Sequence, residues 1–140
     1  MKRILIAALA AVALHAGPAE AREWQCPQWY KLAREVGFTR RDYVTLDAIL
    51  FRESRCRPEA KGYNRRADGT VWSIDLGLSQ VNNYSWVTYL RNLGIIKHSE
   101  DLLHPRTNLR AAKALYDYSR SKGYSPWHQW RTSGSGSWNK

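Results

Sequence analysis

From Pro27 onward, apolar residues recur at the spacing of helices that each bury one face. Trp29, Leu32, Ala33 and Val36 share one side of a first helix that starts at Pro27 and stops at Gly37. Thr39, with Asp42 three residues on, has the form of a capping box that opens a second helix. Tyr43, Leu46, Leu50 and Glu53 then fall on one side of it, so Glu53 ends an inward-facing stripe. After Cys56 and Pro58 the pattern changes. The segment Tyr63 to Asp75 has an Asp68-Gly69 turn between β-prone flanks and predicts a small hairpin. A third helix is expected roughly from Ser79 to Asn92, with Val81, Trp86, Val87 and Leu90 able to pack and Gly94 closing it. A short turn covers Glu100 to Leu103. The last long helix follows Pro105, starting at Thr107 or Asn108, with Leu109, Ala112, Leu115 and Tyr116 on its apolar face and Gly123 at its end. The prediction is a mainly α, α+β domain with one small β-hairpin inserted after the helix that carries Glu53.

The two ends read differently. Lys2 and Arg3 precede an apolar run from Ile4 to Leu14, then Gly17-Pro18 and Ala19-Glu20-Ala21. This is the pattern of an export signal over residues 1–21, cleaved after Ala21. The run is too short to span a bilayer, and no later segment is apolar enough to do so. The expected product is a periplasmic or secreted monomer, with its domain over 22–131 and a flexible Ser/Gly-rich tail over 132–140. In that compartment the two cysteines, Cys26 and Cys56, are expected to form a disulfide. Closing a loop of about 30 residues contributes roughly 3–4 kcal/mol in the chain-entropy model. His98, His104 and His128 are scattered, and no cysteine pair has ligand spacing, so no metal site is expected.

The formal net charge of +10 implies an anionic partner. Removing residues 1–21 takes away Lys2, Arg3 and Glu20, one net positive charge, and leaves +9. An exported chain with scattered Arg and Lys fits a cell-wall polymer better than nucleic acid.

Candidate chemistry narrows the choice. A lone carboxylate on an apolar stripe is costly to ionise, and a carboxylic acid that keeps its proton is the donor glycosidic-bond cleavage needs. Glu53 is that candidate. Asp75 is the candidate for stabilising the positive charge that develops on the sugar. Gln80 and Asn82 offer amide groups to sugar hydroxyls and N-acetyl groups. Trp72, Trp86, Trp127 and Trp130 offer flat faces, with core packing an equal alternative for any one of them. Taken alone, Glu53 would read as a helix-end carboxylate paired with Arg52 or Arg57.

Glu53-Ser54 followed by Cys56-x-Pro58-x-Ala60 resembles the Glu-Ser-x-x-x-Pro-x-Ala motif of soluble lytic transglycosylase domains. Gly77-Leu78-Ser79-Gln80-Val81-Asn82 is similar to their Gly-Leu-Met-Gln-Ile-Asn motif. Asp68-Gly69, Ser73-x-Asp75, Leu102-Leu103-x-Pro105 and Asn108 look most like the small subgroup associated with secretion and conjugation machines. The resemblance runs over residues 43–128. C-type lysozymes share part of the pattern, Asp75 matching their second carboxylate, but their cysteine framework is absent.

The resemblance implies a lysozyme-like fold and cleavage of the MurNAc–GlcNAc β-1,4 bond of peptidoglycan, leaving 1,6-anhydro-MurNAc. Glu53 would act as acid and then base, with Asp75 assisting. Ser54, Gln80, Asn82, Trp72, Trp86, Tyr116 and Trp127 would contact the substrate. No cofactor is implied, and a secretion or conjugation apparatus is a candidate partner. One departure stands out. These domains carry Ala-Tyr-Asn after the last long helix, the Tyr helping to hold the Glu. Here the region reads Tyr124-Ser125-Pro126-Trp127-His128-Gln129-Trp130. Tyr116, Tyr118 or Tyr124 could replace that Tyr, or Trp127 could pack in its place. Two other activities are compatible with these residues: a hydrolytic lysozyme using Glu53 and Asp75, and a non-catalytic cationic wall-binding protein.

Overall fold

The computed structural model of the chain describes residues 23–131. The expected export signal with its cleavage after Ala21, and the tail over 132–140, lie outside the described residues.

Helix α1 (Tyr30–Glu35) follows a 3-10 turn, Pro27–Trp29, and Gly37 ends the segment at a φ of 105°. Helix α2 (Arg40–Ser54) opens on the expected box: the Thr39 hydroxyl accepts from Asp42 N, and Asp42 accepts from Thr39 N at 2.7 Å. Strands β1 (Lys61–Arg65), β2 (Val71–Leu76) and β3 (Val81–Asn82) form an antiparallel sheet in the order β1-β2-β3. Asp75 pairs with Gly62 on one side and Asn82 on the other. Helices α3 (Asn83–Asn92) and α4 (Pro105–Ser121) follow, separated by a 3-10 turn, Ser99–Leu103. A last 3-10 turn spans His128–Trp130. The fold is mainly α with a small sheet.

Three features differ from expectation. The hairpin gains a third strand, and α3 begins at Asn83 instead of Ser79. Gln80 sits at a φ of 51°, outside a right-handed helix, and Asn82 caps α3 by accepting from Tyr84 N and Ser85 N at 3.0 Å. Helix α4 starts at Pro105 itself, because proline has no N–H to lose in the first turn of a helix.

The core is one cluster of buried side chains that includes Leu46, Ile49 and Leu50 of α2, Leu109, Ala112 and Leu115 of α4, and Phe38, Tyr43, Leu90 and Leu102. The N-terminal segment is fastened to this core in three ways. Cys26 is bonded to Cys56, the buried Asp47 carboxylate accepts from Gln25 N and Cys26 N, and Tyr43 donates to the Cys26 carbonyl. Burial and the Asp47 charge both push the Tyr43 hydroxyl's pKa upward.

The turn between β2 and β3 is fixed by Asn108 of α4, which is fully buried. Its Oδ1 accepts from Ser79 N and Oγ, and its Nδ2 donates to the Leu76 and Leu102 carbonyls. Gly77 lets the turn come this close. At a φ of 76°, a Cβ there would stand 2.2 Å from the Leu102 oxygen. Among the described residues, no helix is long and apolar enough to cross a membrane, and no group of three or more His, Cys, Asp or Glu could hold a metal ion.

Candidate active site

A cleft of about 230 Å³ opens where the end of α2, the sheet, α3, α4 and the last 3-10 turn converge. Glu53, Asp75, Gln80, Val81, Asn82, Trp86, Leu115, Gln129, Trp130 and Arg131 line it. The structure therefore brings Glu53, Asp75, Gln80, Asn82 and Trp86 together, although Glu53 and Asn82 are 29 residues apart.

Glu53 reaches the cleft from the last turn of α2. Its Oε1 accepts from Arg52 Nε at 2.9 Å and also from Arg52 Nη2. Arg52 Nη2 donates as well to the Trp130 carbonyl at 2.6 Å. Immediately after the helix, Arg55 and Cys56 adopt positive φ values of 54° and 63°. Such conformations cost roughly 1–2 kcal/mol per non-glycine residue. The Cys26–Cys56 disulfide and a 2.9 Å bond from Trp29 Nε1 to the Cys56 carbonyl anchor this turn beside Glu53.

Asp75 is gripped from both sides of β2. Asn64 Nδ2 donates to Asp75 Oδ2 at 2.9 Å and Asn82 Nδ2 to Asp75 Oδ1 at 2.7 Å. Both amides also reach the buried Ser73 Oγ, at 3.1 and 3.0 Å. The grip follows from strand alternation. Ser73 and Asp75 are two residues apart, so they share a face, and the asparagines sit across from them on β1 and β3.

The amides expected to meet sugar are largely engaged within the protein. Gln80 Nε2 donates to the Ala60 and Gly77 carbonyls, at 3.1 and 2.9 Å. Asn82 donates to Asp75 and Ser73 while its oxygen caps α3. Of the pair, Gln80 keeps its Oε1 without a hydrogen bond among the described residues.

Four residues expected at the substrate do not line the cleft. Ser54 is buried and donates to the Leu50 carbonyl at 3.0 Å, closing its own helical turn. Trp72 is 43% exposed on the sheet, its ring 5.5 Å from that of Tyr84. Trp127 is buried against Phe38, Tyr116 and Trp130, so for this ring core packing prevails. Tyr116 is also buried and donates to Asp42 Oδ1 at 2.8 Å. Burial first, and then that bond, push its pKa up to about 12. For Asp42, burial raises the pKa, but the Thr39 hydroxyl and N–H, the Tyr116 hydroxyl and the Lys113 charge together hold it below the ordinary aspartate value.

No tyrosine stands in for the missing one. Tyr116 bonds Asp42, Tyr118 packs edge-on against Trp86 and Tyr89, and the exposed Tyr124 stacks on His128. Arg52 is the side chain that holds Glu53. In the sequence Arg52 reads only as a surface partner and Ser73 only as part of the Ser73-x-Asp75 motif, while Asn64, Gln129 and Arg131 carry no signal. Period-two alternation through Ser73 and Asp75 could have revealed the Ser73 contribution. Gln129 and Arg131 come from an irregular segment with no periodic signal.

A family model described as a lysozyme-like domain matches residues 30–132. No curated protein and no solved structure matches the chain.

Proposed function

Since the chain belongs to the lysozyme-like domain family, we propose that it is a peptidoglycan lytic transglycosylase with Glu53 as its catalytic acid and base. The family's chemistry is cleavage of glycosidic bonds in peptidoglycan. In the proposed reaction, Glu53 gives its proton to the oxygen between MurNAc and GlcNAc as the bond to MurNAc C1 breaks. The charge of Asp75 stabilises the positive sugar that remains. Glu53 then takes the proton of the MurNAc C6 hydroxyl while that oxygen closes onto C1. Glu53 is regenerated, and water is not consumed.

The observation that carries this reading is that Glu53 and Asp75 line one cleft, with Asp75 held by two amide donors. Donors on both oxygens blunt a carboxylate as a nucleophile while leaving its charge beside the reacting sugar. Trp86 supplies a flat wall for a pyranose ring. The same reading makes glycan strands the substrate, the periplasm or exterior the compartment, and a secretion or conjugation apparatus a partner. The positive net charge suits an anionic wall.

The presence of Asp75 in the same cleft also favours a second activity, hydrolysis by a two-carboxylate lysozyme. Mass analysis of muropeptides released from purified sacculi separates the two. Anhydro-MurNAc ends are expected, and reducing MurNAc ends alone would replace the transglycosylase with the hydrolase. A protein that bound sacculi and released nothing would be the cationic wall-binder.

A further inference from the structure

The two carboxyl oxygens of Glu53 have different surroundings. Oε1 accepts from both Nε and Nη2 of Arg52, whereas among the described residues Oε2 accepts no hydrogen bond. The guanidinium is itself fixed, because Nη2 also donates to the Trp130 carbonyl. Trp130 in turn is buried and donates from its indole N–H to the Ser79 carbonyl at 2.8 Å. Arg52 therefore cannot turn away from Oε1 without giving up the Trp130 carbonyl.

A carboxylic acid carries its proton on one oxygen and keeps the other as an acceptor. An oxygen facing two N–H donors is the acceptor, since a proton there would meet N–H head-on. We infer that Arg52 is a positioning residue that confines the transferable proton of Glu53 to Oε2. The inference rests on the acid-base role proposed for Glu53. In the acid step the proton leaves Oε2 for the glycosidic oxygen, which keeps the electron pair of the broken C1–O bond. In the base step Oε2 takes the proton of the C6 hydroxyl as O6 bonds to C1. The two transfers use the same oxygen in succession, so the carboxylate must not turn between them. Side-chain rotation takes picoseconds to nanoseconds when unrestrained. A fork that sets two donors on Oε1, one of them also tied to the Trp130 carbonyl, restrains it in a way a single-point donor does not. If the carboxylate turns, the C6 hydroxyl loses its base, and water has time to trap the sugar as a reducing end.

The test compares the wild-type chain with Arg52→Met and Arg52→Lys on soluble peptidoglycan strands, measuring kcat, KM, thermal midpoint and the chemistry of the new ends. Arg52→Met is expected to lose about 10- to 100-fold in kcat, the scale of a misplaced catalytic group, with KM within about twofold. Reducing ends should appear among its products. Arg52→Lys keeps the charge but has no counterpart of the Nε donor that Arg52 adds on Oε1, and should recover part of the lost kcat. A folded Arg52→Met enzyme with wild-type kcat and wholly anhydro ends would overturn the inference, as would a loss confined to KM. If Arg52→Met does not fold, Arg52→Lys decides, and wild-type turnover with unchanged ends overturns the inference. Reducing ends alone from the wild type would instead overturn the transglycosylase reading, with the kcat of the variants still reporting on Arg52. A wild type that releases nothing overturns both.

Discussion

Replacing Asn108 by Ala should remove a large part of the stability of this domain. The side chain is fully buried and makes four hydrogen bonds, accepting from Ser79 N and Oγ and donating to the Leu76 and Leu102 carbonyls at 2.8 Å each. The Ser79 hydroxyl can turn to another acceptor, but one N–H and two carbonyls of the main chain cannot. A buried group left without its partner costs about 1–3 kcal/mol. Three such groups give about 4–6 kcal/mol after partial relaxation, before the loss of packing is added. A domain of this size has a total stability of about 5–15 kcal/mol. Urea denaturation followed by tryptophan fluorescence measures the difference, and the thermal midpoint should fall by roughly 20 °C or more. Asn108→Asp sharpens the test. It preserves the acceptor toward Ser79 but turns a carboxylate oxygen toward two carbonyls. Its ionised form is disfavoured in the folded state, so the variant should be more stable near pH 4 than near pH 7. A loss below about 2 kcal/mol for Asn108→Ala, or no such pH trend for Asn108→Asp, would mean that these four bonds do not hold the turn.

Glu53→Gln preserves the shape of the side chain but carries no transferable proton, and its turnover on sacculi should fall by at least about 10²-fold; a folded variant that digests normally would remove Glu53 from the mechanism. Asp75→Asn should lose roughly 10- to 100-fold while the released ends stay anhydro, because the group stabilises charge and does not bond to the sugar. Complete inactivity of Asp75→Asn, with reducing ends from the wild type, would instead identify a two-carboxylate lysozyme. The lowered pKa of Asp42 makes its contribution present above the ordinary aspartate value near 3.9 and lost as the pH falls through the folded-state value. Tyr116→Phe removes one of the bonds that lower it, so a plot of stability against pH should be shallower than wild type below about pH 4. An unchanged acid limb would mean that the Tyr116 hydroxyl does not hold Asp42.

What the sequence reveals here is what local chemistry determines. The Thr39 box and the stripe Tyr43, Leu46, Leu50 and Glu53 depend on residues within a few turns of each other, and α2 forms where they point. Strand β3 escapes notice because two residues have no period, and because the left-handed turn at Gln80 is adopted by a residue that rarely takes it. The aromatic positions are hard to read for a different reason. Trp86 and Trp127 are alike in a one-dimensional pattern, yet one lines the cleft and the other is packed against Phe38. Only the crossing of α4 with the final turn decides which is which. The Arg52 bridge is the least legible feature, since its far end is a backbone oxygen 78 residues away that no residue type announces.

The Arg52 bridge bears on how the cleft holds its shape. Its helical side carries Glu53 and its sheet side carries Asp75, so any chemistry shared by the two depends on ties between those sides. Most of these ties end on main-chain carbonyls: Asn108 on Leu76 and Leu102, Trp130 on Ser79, Arg52 on Trp130, and Gln80 on Ala60. A carbonyl in a helix or turn has no rotamer of its own. A side chain tied to one is therefore placed as accurately as the backbone, which suits catalysis better than a chain of side-chain partners, each free to turn. The departure from the Ala-Tyr-Asn pattern fits this logic. A tyrosine hydroxyl would steady the carboxylate through a side chain. The turn His128–Trp130 instead presents the Trp130 carbonyl to Arg52 and the Trp130 indole N–H to the Gly77–Gln80 turn. One residue thus links the acid to the segment that leads into β3, and the distance between the two sides follows from the backbone of that turn.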